Sequence, residues 1–269
     1  MLIGILETGR PPSELVAAHG NYPLAFEHLL RDVGPAWRYE HFAALEDELP
    51  EQAAVCDAWI VTGSRFGAYD TDPWITRLET FLRDAYQAAV PIVGICFGHQ
   101  LLAQALGGRV IKSEKGWGIG MHRYDLLQDA APDWLRDGND TFQIHAFHQD
   151  QVVEVPPDGQ VVASSEFCPV AALTYGDRAF TLQGHPEFDS VFLSDLVTAR
   201  RAAILDDATA EAALASTKAR PEQQRAARWI AGFLQSALQN RTLQNRTLQN
   251  RALPDRALSD RALSDKGGG

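Results

Sequence analysis

Val90-Pro91-Ile92-Val93-Gly94-Ile95-Cys96-Phe97-Gly98-His99-Gln100 is the stretch that decides how this chain folds. It begins with a continuous apolar run of strand length. The segment after it, about residues 97–106, reads as a helix that stops at Gly107-Gly108. A buried strand running directly into Gly-x-Cys-x-Gly and then into a helix is a nucleophile elbow with sulfur in place of oxygen. So sharp a turn forces the central residue into strained backbone angles, and side chains two positions to either side would collide. The helix aims its N-terminal amides and positive dipole end at the sulfur, favouring thiolate. The Phe97 amide is then placed to donate to a developing oxyanion. A free cysteine is more often a small buried hydrophobe. Flanking glycines, strand and helix set Cys96 apart from that class, whereas Cys56 and Cys168 have no such context and read as structural.

Outward from the elbow, short apolar runs alternate with helix-like segments. Residues 2–6 and 58–62 read as strands, and 22–32 and 73–87 as helices, Pro73 standing at a tolerated first-turn position. This alternation predicts an α/β fold: a mixed, mainly parallel sheet with helices on both faces. The second half changes character. Runs at 141–145, 151–155, 161–165, 171–175 and 180–183, separated by Asp-, Gly- and Pro-bearing turns, predict antiparallel strands added to that sheet. Helices are expected over 190–206 and 221–238. From Leu238 a leucine recurs every five residues, as in Leu-Gln-Asn-Arg-Thr. That step turns a leucine by about 140° around a helix and builds no core-facing stripe. The reading divides the chain into a catalytic domain over 1–205, a helical extension over 206–238 and a flexible or frayed repeat tail over 239–269.

The 269 residues, 45% of them hydrophobic, are enough to bury a substantial core. The formal net charge of −11 argues against nucleic acid or anionic membrane as a general partner, although the tail is locally basic. No apolar stretch approaches the length of a membrane span, and the N-terminus reads as a first strand, not a secretion signal. Three scattered cysteines suit neither a disulfide scaffold nor a zinc site, so a reducing, cytoplasmic setting is expected.

A thiolate needs a proton-carrying partner, and that partner needs an orienting group. The best candidates stand in Leu182-Gln183-Gly184-His185-Pro186-Glu187, where a β-rich run ends. His185 can reach Cys96 from a strand terminus, and Glu187 can hold the other ring nitrogen. His-Pro-Glu alone is weak, because a strand-end turn explains it too; paired with the elbow it is strong.

Gly94-Ile95-Cys96-Phe97-Gly98-His99-Gln100 together with Gly184-His185-Pro186-Glu187 resembles the class I glutamine amidotransferase domain over roughly residues 1–205. The resemblance implies a Cys96-His185-Glu187 triad, attack on a γ-glutamyl carboxamide, a glutamyl thioester and its hydrolysis, with neither metal nor organic cofactor. It implies Gly63 as a second oxyanion donor beside Phe97, in a Gly63-Ser64-Arg65-Phe66-Gly67 loop where the family often has two glycines and a proline. It implies Gln100 as a contact to the glutamyl part. It also implies that the 145–152 run, with Phe147, His148 and Asp150, is the substrate-clamping strand; this chain reads Phe-His-Gln-Asp where Ser-His-Gly-Asp is commoner. Arg65 and its neighbours to Asp72, with 112–122, are expected as walls for the leaving amine. The motif wording is similar to stand-alone γ-glutamyl peptidases and γ-glutamyl amide hydrolases, and no Gly-x-x-x-x-Gly-Lys phosphate loop accompanies it.

Three functions compete. A free-standing γ-glutamyl hydrolase fits an intact triad with no fused acceptor domain. A glutaminase subunit passing ammonia to a separate synthetase would be weakly active alone. A silent binding module would have no need of all three triad residues. A homodimer or that synthetase is the expected protein partner. Another cysteine-elbow group, the small redox chaperones and intracellular proteases, does not usually supply His-Pro-Glu after a late strand.

Overall fold

The computed structural model describes residues 1–201 and 203–252. In chain order the first half holds β1 (Leu2–Leu6), α1 (Ser13–His19), α2 (Tyr22–Leu30), β2 (Arg38–Phe42), β3 (Ala58–Val61), α3 (Pro73–Gln87), β4 (Ile92–Ile95) and α4 (Phe97–Ala105). There follow β5 (Arg109–Lys112), β6 (Gly118–Leu126), β7 (Thr141–His148), β8 (Asp150–Glu154), β9 (Gln160–Ser164), β10 (Ala172–Tyr175) and β11 (Ala179–Leu182). Helices α5 (Ser190–Arg200), α6 (Asp207–Ser216) and α7 (Gln223–Ala252) complete the described chain.

Nine strands form one sheet in the order β2-β1-β3-β4-β11-β10-β9-β6-β7. The pairs from β2 to β11 are parallel, and those from β11 to β7 antiparallel. The expected α/β class and mixed sheet are thus the observed ones. Because strand side chains alternate faces, each central strand feeds two cores. Ile3, Ile5, Ile60, Val93, Ile95, Phe180 and Leu182 join Phe26 and Leu30 of α2 and Trp229, Ile230 and Phe233 of α7. On the other face Leu6, Trp59, Val61, Ile92 and Ala179 join Leu78 and Leu82 of α3 and Leu101 and Leu102 of α4. Helix α3 buries Trp74, Ile75, Leu78, Phe81, Leu82, Ala85 and Tyr86, the stripe of a helix lying along a sheet. Truncating one such residue, Leu82→Ala, would destabilise the fold by about 2–5 kcal/mol.

Several expectations are corrected. The strand expected over 151–155 does not join the main sheet; as β8 it pairs antiparallel with β5 in a separate two-stranded sheet. The helix expected over 190–206 ends at Arg200, and α6 starts anew behind Asp206, whose side chain accepts from Thr209 N at 2.8 Å. The helix expected to stop near residue 238 continues to Ala252, so the first pentapeptide repeats are helical; the rest of the 239–269 tail lies outside the described residues. Strand β2 escaped the reading because, at the sheet edge, Arg38-Tyr39-Glu40-His41-Phe42 buries no residue fully. Helix α7 is held at its start by Arg225, which donates to both Asp137 carboxylate oxygens at 2.5 and 2.7 Å and lies 4.7 Å over the Trp229 ring.

Among the described residues no helix is long and apolar enough to cross a membrane, and no group of three or more His, Cys, Asp and Glu could hold a metal ion.

Candidate active site

Cys96 lies between the end of β4 and the first residue of α4 and adopts φ 52°, ψ −101°. A non-glycine residue with positive φ costs on the order of 1–3 kcal/mol and persists only where its surroundings over-determine it. Here the surroundings are backbone. The Cys96 amide donates to Leu182 O at 2.8 Å, and its carbonyl accepts from Gln100 N at 3.0 Å inside the helix. The flanking glycines are required by close approach: a methyl on Gly94 would lie 2.6 Å from Gly98 O, and one on Gly98 2.5 Å from Val61 O. The Phe97 ring points away into the core against Trp74, with ring centroids 5.7 Å apart. Its amide, the first of α4, has no acceptor within the helix.

His185 reaches the elbow because β11 lies beside β4, with Leu182 opposite Ile95. The chain then crosses to β7, where His185 N donates to His145 O at 2.7 Å. The His185 ring is held on two sides. Its Nδ1 meets Glu187 Oε1 at 2.7 Å, and its face stacks on Phe188 with centroids 4.0 Å apart and planes 4° from parallel. A methyl on Gly63 would stand 2.7 Å from His185 Cε1 and 3.7 Å from Cys96 Cβ, so the ends of β3, β4 and β11 meet at one point. The Gly63 turn is itself tied down by Thr8, whose hydroxyl donates to Gly63 O at 3.1 Å while Ser64 Oγ donates to Thr8 O at 2.6 Å.

Burial alone would pull the His185 pKa down. The Glu187 carboxylate and the Cys96 sulfur beside it more than reverse this and push it up to about 10. His185 is therefore an imidazolium near neutral pH. His148, equally enclosed, goes the other way: burial first, then neighbouring His122, lowers it to about 3.

A cavity of about 480 Å³ opens over the sulfur. Gly63, Cys96, Gln100, Phe147, His148, Asp150, Arg65 and His185 all line it, so the sequence-predicted residues are gathered in one place. Glu187 stands behind His185, where a second, smaller cavity reaches it. The Gln100 side chain is engaged within the protein, donating to Asp150 O at 2.8 Å and Gln183 Oε1 at 3.1 Å, so it braces the clamping segment as well as facing the cavity. The expected walls are present too, Phe66, Tyr69 and Asp70 from one loop and Lys112 and Trp117 from another.

Sequence reasoning missed Tyr22, Phe188, Arg10, Leu196, Arg200 and Ile204, which also line the cavity. Phe188 follows the His-Pro-Glu run and was within reach of a strand-end reading. Tyr22 and Arg200 sit on helices distant in sequence and carry no local mark.

A family model described as glutamine amidotransferase class-I matches residues 37–193. A glutamine amidotransferase-like protein of Schizosaccharomyces pombe is 30% identical over 211 residues, 74% of this chain and 84% of the yeast protein. Gamma-glutamyl peptidase 4 of Arabidopsis thaliana is 29% identical over 199 residues, 72% of this chain and 78% of the plant protein. A glutamine amidotransferase of Thermotoga maritima, known from its crystal structure, shares the fold with a TM-score of 0.67 at 18% identity, over 88% of this chain and 97% of that one.

Proposed function

The chain belongs to the class-I glutamine amidotransferase family, and from that premise we propose that it is a hydrolase of γ-glutamyl amides, with Cys96 as nucleophile, His185 as acid and base, and Glu187 as the residue that orients and charges His185. The observation that carries this reading is the meeting of Gly63, Cys96 and His185 at one point, with Glu187 bonded to the far side of the imidazole at 2.7 Å. The gamma-glutamyl peptidase among the relatives supports the substrate class.

The Cys96 sulfur, as its anion, adds to the γ-carbonyl carbon, and the carbonyl electron pair moves onto oxygen. The Phe97 and Gly63 amides are the proposed donors to that oxygen. His185 gives its proton to the amide nitrogen as the C–N bond breaks. The amine departs and a glutamyl thioester remains. Water then adds to the thioester, its proton returns to His185, the C–S bond breaks, and glutamate is released. Protonated His185 suits the first step, because the leaving nitrogen must be protonated before it can go.

The test is direct. The purified chain is incubated with γ-glutamyl amides, quenched in acid and digested, and the Cys96 peptide is weighed. A glutamyl group on that peptide, lost on longer incubation, is the expected result. Turnover that survives Cys96→Ala, or a label on another residue, would overturn the assignment. Full turnover by the isolated chain also distinguishes a free-standing hydrolase from a subunit that supplies ammonia to a separate synthetase.

A further inference from the structure

The body of this protein is acidic, with a formal net charge of −11, yet its active-site cavity is not. Arg10, Arg65, Lys112 and Arg200 line it against two carboxylates, Asp70 and Asp150. A cleft whose charge opposes that of the whole molecule concentrates ligands of the opposite sign. The glutamyl part of any substrate brings one α-ammonium and one α-carboxylate, which cancel. The surplus cation therefore speaks to the other half of the substrate, the amine that leaves.

The four cations are not equivalent. Arg10 is engaged on both sides, by Glu7 at 3.0 Å and Glu46 at 2.5 Å. Arg65 is exposed and rests 5.2 Å over the Phe66 ring. Lys112 is exposed on the strand opposite Asp150, whose charge it faces. Arg200, in the last turn of α5, is half-buried and has no carboxylate partner among the described residues. Its neighbour in sequence makes the contrast plain, since Arg201 turns outward and takes both Asp207 at 2.7 Å and Glu211 at 3.0 Å. Around Arg200 the cavity wall is apolar, formed by Leu196 and Ile204, with Tyr22 near enough to feel the Arg200 charge. An unpaired guanidinium set in an apolar wall is a site for a planar anion.

We infer that Arg200 is a specificity-determining residue that binds a carboxylate on the leaving amine, so that the preferred substrates are γ-glutamyl conjugates of amino acids or peptides, in preference to glutamine or γ-glutamyl derivatives of neutral or cationic amines. This rests on the hydrolase reading above. Leu196, Ile204 and Tyr22 then cover the side chain of the released residue, and Arg200 fixes its carboxylate. The bound amide is thereby held at both ends, its glutamyl part by the 145–152 segment and its leaving part by α5, both of which line the cavity.

The experiment compares γ-glutamyl-alanine with γ-glutamyl-alaninamide, two compounds that differ only in that carboxylate. Wild-type protein is expected to favour the acid by roughly 10- to 100-fold in kcat/KM, the range of one charge-assisted hydrogen-bonded contact. Arg200→Gln should collapse that ratio to near one, mainly through KM for the acid, and Arg200→Lys should keep part of it. Equal turnover of the two compounds by wild type would overturn the inference while leaving the hydrolase reading standing. So would an Arg200→Gln variant that slows both compounds alike, since Arg200 would then balance the charge of Glu187 and not that of a ligand. Cleavage of neither compound, with no glutamyl group on Cys96, would sink the hydrolase reading itself.

Discussion

Two segments of the active-site wall each bury a histidine, and they tune it in opposite directions. In the 184–188 turn, His185 is 4% exposed and is pushed up to about 10. In the 145–150 segment, His148 is 3% exposed and is pulled down to about 3. Burial is the same and disfavours the charged ring in both. What differs is the neighbour. His185 has the Glu187 carboxylate on Nδ1 and the Cys96 sulfur in the same pocket. His148 has on Nδ1 only the Asp150 carbonyl, at 3.2 Å, and a second histidine, His122, beside it. His99, bonded to Thr181 Oγ1 at 2.8 Å within the core, repeats the second pattern and also falls to about 3. A buried imidazole is thus favoured in its charged form only where a fixed anion faces it; otherwise burial favours the neutral ring.

The most damaging way to break this contrast is Glu187→Gln, which keeps shape and removes charge. It should bring the His185 titration down from about 10, in the direction of His148, and lower kcat by roughly 10²- to 10⁴-fold, the usual share of a positioned acid–base group. Proton NMR of the ring and the pH–rate profile read both effects, and an unmoved His185 titration would refute the account of its charge. Next in size is Gly63→Ala, whose methyl would stand 2.7 Å from His185 Cε1 and push the ring off line. A loss of about 10- to 100-fold in kcat with the fold retained is expected from a displacement of this kind. Wild-type rates would mean that the ring need not sit where it does.

The two histidine classes also predict opposite limbs in a plot of stability against pH. His148 and His99 have folded-state pKa values below their unfolded ones, so between about 3 and 6.5 the unfolded chain binds more protons. Stability is complete above that window and falls as pH drops through it, by about 1.4 kcal/mol per pH unit for each histidine. His185 is raised, so its contribution is complete below about 6.5 and is lost as pH climbs toward 10. Denaturant titrations across pH should show His148→Gln flattening the acid limb alone and Glu187→Gln flattening the alkaline limb alone. An exchange of those effects would reverse the assignment. The smallest effect expected is that of Phe188→Leu, which removes the 4.0 Å stack on His185 while leaving its carboxylate in place. A loss of roughly 0.5–1.5 kcal/mol in stability and only a few-fold change in rate would show that charge, not stacking, separates the two histidines.

The elbow could be read directly from residues 90–100, because its glycine spacing is a local mark, although β3 and β11 also hold it in place. A strand that must turn within one residue demands glycine two positions either side; the close approach at Gly94, to Gly98 O, lies within the turn, whereas that at Gly98 is to Val61 O of β3. Strands β1, β3 and β4 of the parallel half were legible for the same reason, since strand and helix announce themselves by period over a few residues, whereas β11, read among the added antiparallel strands, pairs parallel with β4. His185 and Glu187 could be picked out as a pair, but not their distance from Cys96. The edge strand β2 and the β5–β8 ribbon were missed or misassigned, because edge strands lack an apolar signature and pairing partners are not encoded in either strand alone.

What the sequence by itself determined, then, is the chemistry available: a sulfur in a strained turn, an imidazole and a carboxylate two residues apart, and the class of fold that holds them. The tertiary structure decided that a carboxylate faces His185 and not His148 or His99, what stacks on His185, and that Arg200 lines the cavity with no carboxylate partner among the described residues. The order of strands sets β11 beside β4 and so brings His185 to Cys96 across 89 residues of chain, and the chain order of α2 and α5 gives no sign that Tyr22 and Arg200 meet over the same sulfur. The physical reason is one of range. Backbone sterics act within a turn, whereas desolvation and Coulomb forces act on whatever the packed fold brings within a few ångströms.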